Sequence, residues 1–270
     1  MHAAASPLKR PRPATLEHHP HFHAPPNPYN APPENTGMQQ LAPQHAANHP
    51  HAHAAPKHLS VGGANLSKAV KSVVKVFSTI ACPNFATPWQ MHQQSKSTAS
   101  GFILHPLSER RILTNAHAVA NQIQVQLRKH GNAKKFPAKV LATGHECDIA
   151  LLTVTDDEFW EGVDGLEIGG LPHMQESVVV VGYPTGGENI CVTKGVISRV
   201  DRQLYSHGRT SLLALQIDAA INSGNSGGPV IMGDKVIGLA FQCLTVGENI
   251  GYVIPVSKAN RPLCFVRYID

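Results

Sequence analysis

The stretch Asn222-Ser223-Gly224-Asn225-Ser226-Gly227-Gly228-Pro229-Val230 surrounds Ser226 with three glycines and a proline. It lies between two apolar runs, residues 212–217 and 230–232. Glycine allows a positive φ and the close approach of other backbone segments. The stretch therefore predicts a tight turn that exposes the Ser226 hydroxyl and directs peptide N–H groups inward. Because a serine hydroxyl is a weak nucleophile at neutral pH, this turn needs a base beside it to carry out chemistry.

Candidates for that base and for a carboxylate partner lie upstream. His117 follows the apolar residues of Leu113-Thr114-Asn115-Ala116-His117, and Asp148 opens Asp148-Ile149-Ala150-Leu151-Leu152. An imidazole can accept the serine proton and return it to a leaving amine. A carboxylate at the start of a buried strand needs a partner, and the second imidazole N–H would supply one. The order His, Asp, Ser is that of a chymotrypsin-type triad, so we predict His117, Asp148 and Ser226 as catalytic.

Five segments resemble signatures of the Deg/HtrA serine proteases: Thr114-Asn115-Ala116-His117, Asp148-Ile149-Ala150-Leu151-Leu152, Gly182-Tyr183-Pro184, Gly224-Asn225-Ser226-Gly227-Gly228-Pro229 and Gly251-Tyr252-Val253-Ile254-Pro255. The resemblance extends over roughly residues 66–256. The sequences of His145-Glu146-Cys147-Asp148 and of residues 181–187 are most similar to those of the plant Deg subgroup. The resemblance implies a serine endopeptidase that acts on unfolded polypeptides without ATP, and a homotrimeric assembly.

The apolar pattern predicts an all-β protein. Two sets of short segments are separated by a connector, residues 159–172. The first set is 73–77, 100–104, 111–114, 123–127, 136–142 and 149–154, and the second is 177–182, 192–200, 212–217, 229–232, 236–242 and 249–254. Many short strands with Gly and Pro turns favour a pair of barrels or sandwiches. The family resemblance implies two perpendicular six-stranded chymotrypsin-like barrels with the active site in the cleft between them.

Two further features of the predicted site concern substrate binding. The backbone N–H groups of Gly224 and Ser226 are expected to form the oxyanion hole, since preorganised backbone donors stabilise a developing negative charge. Ala220 lies six residues before Ser226, where trypsin-like enzymes have the base of the pocket for the P1 residue, and it offers no carboxylate to Arg or Lys. The wall of this substrate pocket is expected from Leu239, Ala240 and Phe241, which favours small or medium aliphatic P1 residues. The alternative is that these residues are barrel core.

The two ends of the chain differ in composition from its centre. Residues 1–65 contain most of the 21 prolines and 17 histidines and almost no apolar run, so we predict a disordered tail. Residues 66–256 form the predicted protease domain. Residues 257–270 are predicted to be an atypical C-terminal tail. The resemblance implies a PDZ domain after the protease domain, and no PDZ domain is expected in these residues. The histidine clusters of the first tail lack a rigid frame, so no metal site is expected, and no cofactor is required.

Composition also bears on partners and compartment. The formal net charge of +5 is spread thinly, so no nucleic-acid partner is predicted. No apolar segment is long enough to span a membrane. Five cysteines without a Cys-x-x-Cys pair favour an intracellular reducing compartment. Lys9-Arg10-Pro11-Arg12 suggests nuclear import, with chloroplast or mitochondrion as the alternative.

These features predict a serine-type endopeptidase that cleaves unfolded or damaged proteins through an acyl-enzyme. A hypothesis from a different class is a non-catalytic holdase, in which the same cleft binds unfolded chains without turnover. An inactive truncated isoform of a Deg protease is a further alternative.

Overall fold

The computed structural model describes residues 60–61, 64–205, 209–243 and 250–256. Its strands and helices, in chain order, are β1 (Ser60–Val61), β2 (Ala64–Asn65), α1 (Leu66–Ser72), β3 (Val73–Ile80), β4 (Ser95–Ile103), β5 (Ile112–Thr114), β6 (Gln122–Lys129), β7 (Phe136–Gly144), β8 (Ile149–Val154), α2 (Asp157–Trp160), β9 (Glu167–Ile168), β10 (Ser177–Gly182), β11 (Cys191–Leu204), β12 (Ser211–Ile217), β13 (Pro229–Met232), β14 (Lys235–Cys243) and β15 (Gly251–Pro255). A 3₁₀ turn spans Leu107–Glu109. The predicted tails, the basic cluster at residues 9–12 and the histidine clusters lie almost entirely outside the described residues and stay predictions.

The first barrel closes in the order β3-β4-β5-β8-β7-β6, and its pairings are antiparallel. Alternating residues such as Val74 and Val76 point into a shared buried cluster, as period-two strands with one buried face require. The six strands predicted for this half are confirmed. The alternation of buried and exposed residues fails at Ile123 in β6, an apolar residue that is 54% exposed. A register shift between Thr79 and Ile80 leaves Ile123 without a residue opposite it in β3, so the alternation breaks at this bulge.

The second barrel contains the six remaining predicted strands. They follow the order β13-β10-β11-β12-β15-β14, and the pairing of β13 with β14 closes the ring. The predicted connector is not structureless, because α2 starts just before it and β9 adds in parallel to the edge of β14. The all-β prediction of two closed six-stranded barrels in a chymotrypsin-like arrangement is therefore confirmed.

A third apolar cluster draws on both barrels. In β10, Val178 and Val180 belong to the core of the second barrel, whereas Val181 joins Phe102 and Leu151 of the first barrel. The outer faces of some strands are thus buried as well, against the other barrel. Burial of apolar surface contributes roughly 25 cal/mol per Å², so this shared cluster holds the ends of strands from both barrels against one another. The loops that carry the candidate site lie at those ends.

Candidate active site at the seam of the barrels

The candidate base and carboxylate are joined by two hydrogen bonds. His117 lies in the turn after β5, and Asp148 lies immediately before β8. The backbone N–H of His117 donates to Asp148 Oδ1 at 2.8 Å. His117 Nδ1 lies 2.7 Å from Asp148 Oδ2. An ionised carboxylate can only accept, so this contact assigns the proton to Nδ1 and leaves Nε2 as the proton acceptor of the ring.

The surroundings of Asp148 explain how a carboxylate can be buried here. Its side chain is 1% exposed, whereas that of His117 is 22% exposed. Both carboxylate oxygens accept hydrogen bonds from His117, which offsets the cost of removing the charge from water. The backbone at Asp148 is left-handed, with φ +54°, and Asn115 Nδ2 donates to the Asp148 carbonyl at 2.9 Å. Strained backbone of this kind persists where the surrounding structure enforces it.

The nucleophile loop, residues 222–228, is held by backbone hydrogen bonds. The amide of Asn225 donates to the Asn222 carbonyl at 3.0 Å, and the amide of Gly228 donates to the Asn225 carbonyl at 2.9 Å. Next to them, the amide of Gly227 donates to the carbonyl of Ala240 in β14 at 2.8 Å. Ser226 lies between these anchored residues and is half-buried. The turn predicted from the glycines is present, and its backbone is fixed on both sides of the serine.

Two of the loop's glycines occupy sites that no side chain could share. Gly227 has φ +82°, and a Cβ there would lie 2.2 Å from the Ser100 carbonyl oxygen and 2.5 Å from Thr114 Oγ1. Gly224 has φ +94°, and a Cβ there would lie 2.5 Å from the Tyr183 carbonyl oxygen. Both the positive φ and the close approach require glycine. The loop is therefore packed against backbone from the first barrel and from the end of β10.

Ser100, a residue of β4 that sequence reasoning missed, connects these segments. Its amide donates to the Ser226 carbonyl at 2.8 Å, and its hydroxyl donates to the Gly224 carbonyl at 2.8 Å. The same hydroxyl accepts from the Tyr183 amide at 2.7 Å, and Thr114 Oγ1 donates to the Ser100 carbonyl at 2.7 Å. Ser100 is completely buried. No local motif distinguishes this serine from others, because its role depends on contacts more than 80 residues away in the sequence.

The amides proposed for the oxyanion hole differ from their neighbours. Within the part of the chain that the structure describes, the amides of Asn225, Gly227 and Gly228 donate hydrogen bonds, and those of Gly224 and Ser226 do not. The Ser226 hydroxyl makes a long hydrogen bond of 3.4 Å to the carbonyl of Phe241. Two backbone donors and the hydroxyl therefore remain available to a ligand at this point. Their catalytic roles, like those of His117 and Asp148, stay predictions.

The predicted pocket residues are placed differently from one another. Ala220 is exposed. Leu239 and Ala240 have no exposed surface, and they belong to different clusters, Leu239 between the barrels and Ala240 inside the second. This packing favours the alternative that these two residues are barrel core. Phe241 packs against Tyr205, with ring centroids 4.7 Å apart.

Phe241 is also the bulged residue of β14. A register shift between Ala240 and Gln242 leaves Phe241 without a partner in the pairing of β14 with β15. Bulges are frequent beside active sites, where they redirect the chain. Sequence reasoning also missed Ile221, a buried neighbour of Ala220. A Cβ added to Gly251 would lie 2.7 Å from Ile221 Cδ1, so this side chain occupies the space that the glycine leaves.

The sequence predicts neither a metal site nor a membrane span. Among the described residues, no three His, Cys, Asp or Glu side chains are grouped in a way that could hold a metal ion. None of the helices in the described part of the chain is long and apolar enough to cross a membrane.

Two buried amide oxygens in the site, Asn115 Oδ1 and Asn225 Oδ1, have no hydrogen-bond partner within the described structure.

The fold is chymotrypsin-like, with two closed barrels. A histidine, an aspartate and a glycine-rich loop that carries a serine lie at the seam between them. Residues 99–239 match the trypsin-like peptidase domain family, and the chain belongs to that family and, within it, to the Deg/HtrA proteases. It is 58% identical over 187 residues to the mitochondrial Do-like protease 3 of Arabidopsis thaliana, with 69% of this chain and 33% of the relative covered. It is 50% identical over 196 residues to the mitochondrial Do-like protease 4 of the same plant, with 73% and 37% covered.

Another Arabidopsis relative, the chloroplastic Do-like protease 2, is 48% identical over 195 residues, with 71% of this chain and 32% of the relative covered. The chain thus spans about a third of the length of these relatives. Among solved structures, it is similar to a protease of M. tuberculosis in its active form, with a TM-score of 0.58, 26% identity and coverage of 71% and 78%. A serine endoprotease from Yersinia pestis gives a TM-score of 0.53, 25% identity and coverage of 70% and 60%.

Proposed function

We propose that this chain is a serine endopeptidase in which Ser226 is the nucleophile, His117 the general base and Asp148 the residue that orients His117. The observation that carries the proposal is the pair of hydrogen bonds from His117 to the buried carboxylate, 2.8 Å and 2.7 Å long, at the seam where the nucleophile loop lies. A buried carboxylate that binds both the backbone and the ring of one histidine fixes the tautomer of that histidine. The other ring nitrogen, Nε2, is then the proton acceptor that a serine nucleophile requires.

The reaction would proceed through an acyl-enzyme. Ser226 Oγ attacks the scissile carbonyl carbon while His117 Nε2 takes the hydroxyl proton. The negative charge that develops on the carbonyl oxygen is stabilised by the backbone N–H groups of Gly224 and Ser226. The tetrahedral intermediate collapses when the C–N bond breaks and His117 delivers its proton to the leaving amine. A water molecule, deprotonated by His117, then attacks the ester carbonyl and releases the second product.

Unfolded or damaged polypeptides are the proposed substrates, as the family resemblance implies. Residues with small or medium aliphatic side chains should be preferred at P1. A cationic side chain beside Ala220 would lose hydration and gain no carboxylate partner there. The homotrimer implied by the resemblance stays a proposal. For the compartment, relatives named mitochondrial and chloroplastic favour an organelle, and the nuclear interpretation of Lys9-Arg10-Pro11-Arg12 is not supported.

The proposal is tested by fluorophosphonate labelling and by degradation of a reduced, unfolded model protein, each with the natural chain and with Ser226→Ala. We expect labelling and degradation with the natural chain only, since loss of a triad nucleophile typically lowers turnover about a millionfold. Equal degradation by the two proteins would identify a contaminant and remove the support for Ser226. If neither protein degrades the substrate and both prevent its aggregation, the holdase hypothesis replaces the endopeptidase.

A further inference from the structure

A cluster of charged side chains joins the first barrel to a loop of the second. The 183–190 loop connects β10 to β11, and it is anchored through what we name the Glu188 ion cluster, consisting of Lys75, Arg128 and Glu188. Lys75 Nζ donates to the Gly187 carbonyl at 2.8 Å and lies 3.2 Å from Glu188 Oε1. Arg128 NH1 lies 2.6 Å from Glu188 Oε2, and its NH2 donates to the Glu188 carbonyl at 2.8 Å. Two adjacent barrel strands thus bind two consecutive residues of the loop.

The cations and the anion of the Glu188 ion cluster differ in burial. The Lys75 side chain is 5% exposed and that of Arg128 is 17% exposed, whereas Glu188 is 71% exposed. A buried ammonium is costly unless it is paired and hydrogen-bonded, and Lys75 obtains two of its partners from the loop. Hydrogen bonds from Lys75 and then Arg128 hold the pKa of the Glu188 carboxyl below its ordinary value. The first barrel therefore presents fixed, largely buried cations, and the loop brings the anion to them.

The same loop contacts the peptide that precedes Gly224. The amide of Thr185 donates to the Ser223 carbonyl at 2.6 Å, and Thr185 Oγ1 donates to Ser223 Oγ at 3.2 Å. In a trans peptide the C=O and the N–H point in opposite directions. A hydrogen bond that fixes the carbonyl of Ser223 therefore also fixes the direction of the Gly224 N–H, since both groups belong to one planar unit. Without that bond, the freedom of glycine at position 224 would allow this peptide to rotate.

We propose that Glu188 is a positioning residue for the oxyanion hole. It holds the 183–190 loop against Lys75 and Arg128 of the first barrel, so that Thr185 keeps the Ser223–Gly224 peptide in the orientation that directs its N–H to the substrate oxygen. The inference rests on the proposed role of Gly224 in catalysis. If Glu188 has this role, the rate of the reaction at Ser226 depends on Lys75 and Arg128 of the first barrel.

The expected signature is a loss of rate at unchanged substrate binding. The oxyanion forms only as the carbonyl is attacked, so a misdirected Gly224 N–H weakens the transition state and leaves the ground-state complex intact. Loss of one oxyanion donor typically costs about 10²- to 10³-fold in kcat. Loosening its support should cost less, and we expect roughly tenfold for Glu188→Gln and for Lys75→Met. KM should stay within about twofold, since an interaction made only in the transition state changes kcat rather than KM.

The experiment compares Glu188→Gln and Lys75→Met with the natural chain and with Asp157→Asn. Asp157 forms an exposed ion pair with Arg110, 2.6 Å long, at α2, so its removal is a matched control for loss of a surface charge. The measurements are kcat and KM on a peptide substrate, the rate of fluorophosphonate acylation, and Tm. We expect the two cluster variants to lose kcat and acylation rate together, and Asp157→Asn to behave as the natural chain. Equal kcat in Glu188→Gln and the natural chain would overturn the inference.

Another variant tests the route through Thr185. Thr185→Pro removes the N–H that Ser223 accepts, and it should lower kcat about a hundredfold, near the full value of one oxyanion donor. In that background Glu188→Gln should cause no further loss, because the two changes act on one peptide. Fully multiplicative losses would overturn the coupling. If the natural chain is not labelled by the fluorophosphonate, the proposed function fails and the inference with it; labelling with normal Glu188→Gln kinetics refutes the inference alone.

Discussion

The two halves of the candidate site are held in different ways. The base half consists of His117 and Asp148, which bind each other through two hydrogen bonds within the first barrel. The nucleophile half, residues 222–228, belongs to the second barrel, yet Ser100 of the first barrel binds the carbonyls of both Ser226 and Gly224. The base half contains its own partners. The nucleophile half depends on glycine geometry and on segments that reach it from elsewhere in the chain.

This difference indicates which half can be disturbed from a distance. A change to His117 or to Asp148 breaks their pair directly, and both residues belong to the first barrel. The nucleophile half can be weakened by changes in Ser100 or in the 183–190 loop, none of which belongs to the triad.

Asp148→Asn should break the base half without unfolding the barrel. The amide would offer a donor where His117 Nδ1–H now donates, which favours the wrong tautomer of the ring. Loss of kcat should be roughly 10⁴-fold, with KM nearly unchanged. Steady-state kinetics and a thermal melt of the same sample check this outcome. A loss of less than tenfold would show that His117 does not need this carboxylate, and the proposed triad would fail.

Gly227→Ala should disrupt the nucleophile half through backbone alone. Its Cβ would lie 2.2 Å from the Ser100 carbonyl oxygen at φ +82°, so the loop must shift. We expect a loss of about 3 kcal/mol in the free energy of unfolding and a loss of fluorophosphonate labelling.

Gly131→Ala is the matched control for that change. It has φ +71° and open space around its Cβ position, so it should lose only about 1 kcal/mol, from the left-handed backbone. Denaturant unfolding of both variants measures the difference. Equal losses in the free energy of unfolding would mean that the close packing of Gly227 against the first barrel does not contribute to stability.

The sequence predicted the fold well because period-two strands and glycine turns are local patterns. The strands on either side of His117 and Ser226 lie where the apolar segments indicated. What could not be predicted is the set of contacts that join the halves. Ser100, Thr185 and Glu188 contact the loop or its supports across long sequence separations, and no local pattern predicts these contacts. Ile123 breaks the period-two alternation of β6 for a related reason, since the bulge there depends on the partner strand.

Ser100→Ala should weaken the nucleophile half while leaving the base half intact. The Tyr183 amide and the Gly224 carbonyl would both lose the hydroxyl between them, and an unpaired buried donor costs about 1–3 kcal/mol. We expect kcat to fall roughly tenfold, because Gly224 is then held less firmly. Ser72→Ala is the control: this buried serine of α1 donates to the Lys68 carbonyl, and its loss should leave kcat unchanged. A pure stability loss in Ser100→Ala, with normal kcat, would restrict Ser100 to a structural role.

The smallest effect concerns Tyr183, which begins the 183–190 loop. Burial raises the pKa of its hydroxyl from 10.0 to about 12, against a lowering by the nearby Arg128 guanidinium. Burial also raises the pKa of Tyr205, which packs on Phe241. Between pH 10 and 12 an unfolded chain would ionise its tyrosines while the folded chain keeps Tyr183 neutral. The free energy of unfolding is therefore fully maintained below about pH 10 and falls as the pH rises towards the folded pKa.

Urea unfolding at a series of pH values from about 9 to 12 measures this fall, and Tyr183→Phe should make it shallower because one of the buried hydroxyls no longer ionises on unfolding. Tyrosinate absorbance of the folded chain should show the matching late ionisation. Since Tyr183 donates its amide to Ser100, its ionisation disturbs the support of the nucleophile half first. Fluorophosphonate labelling should accordingly be lost at a lower pH than global unfolding, and Tyr183→Phe should narrow that gap. If labelling and unfolding coincide at every pH in both proteins, the nucleophile half is no more easily disturbed than the rest of the barrels, and the contrast drawn between the two halves is wrong.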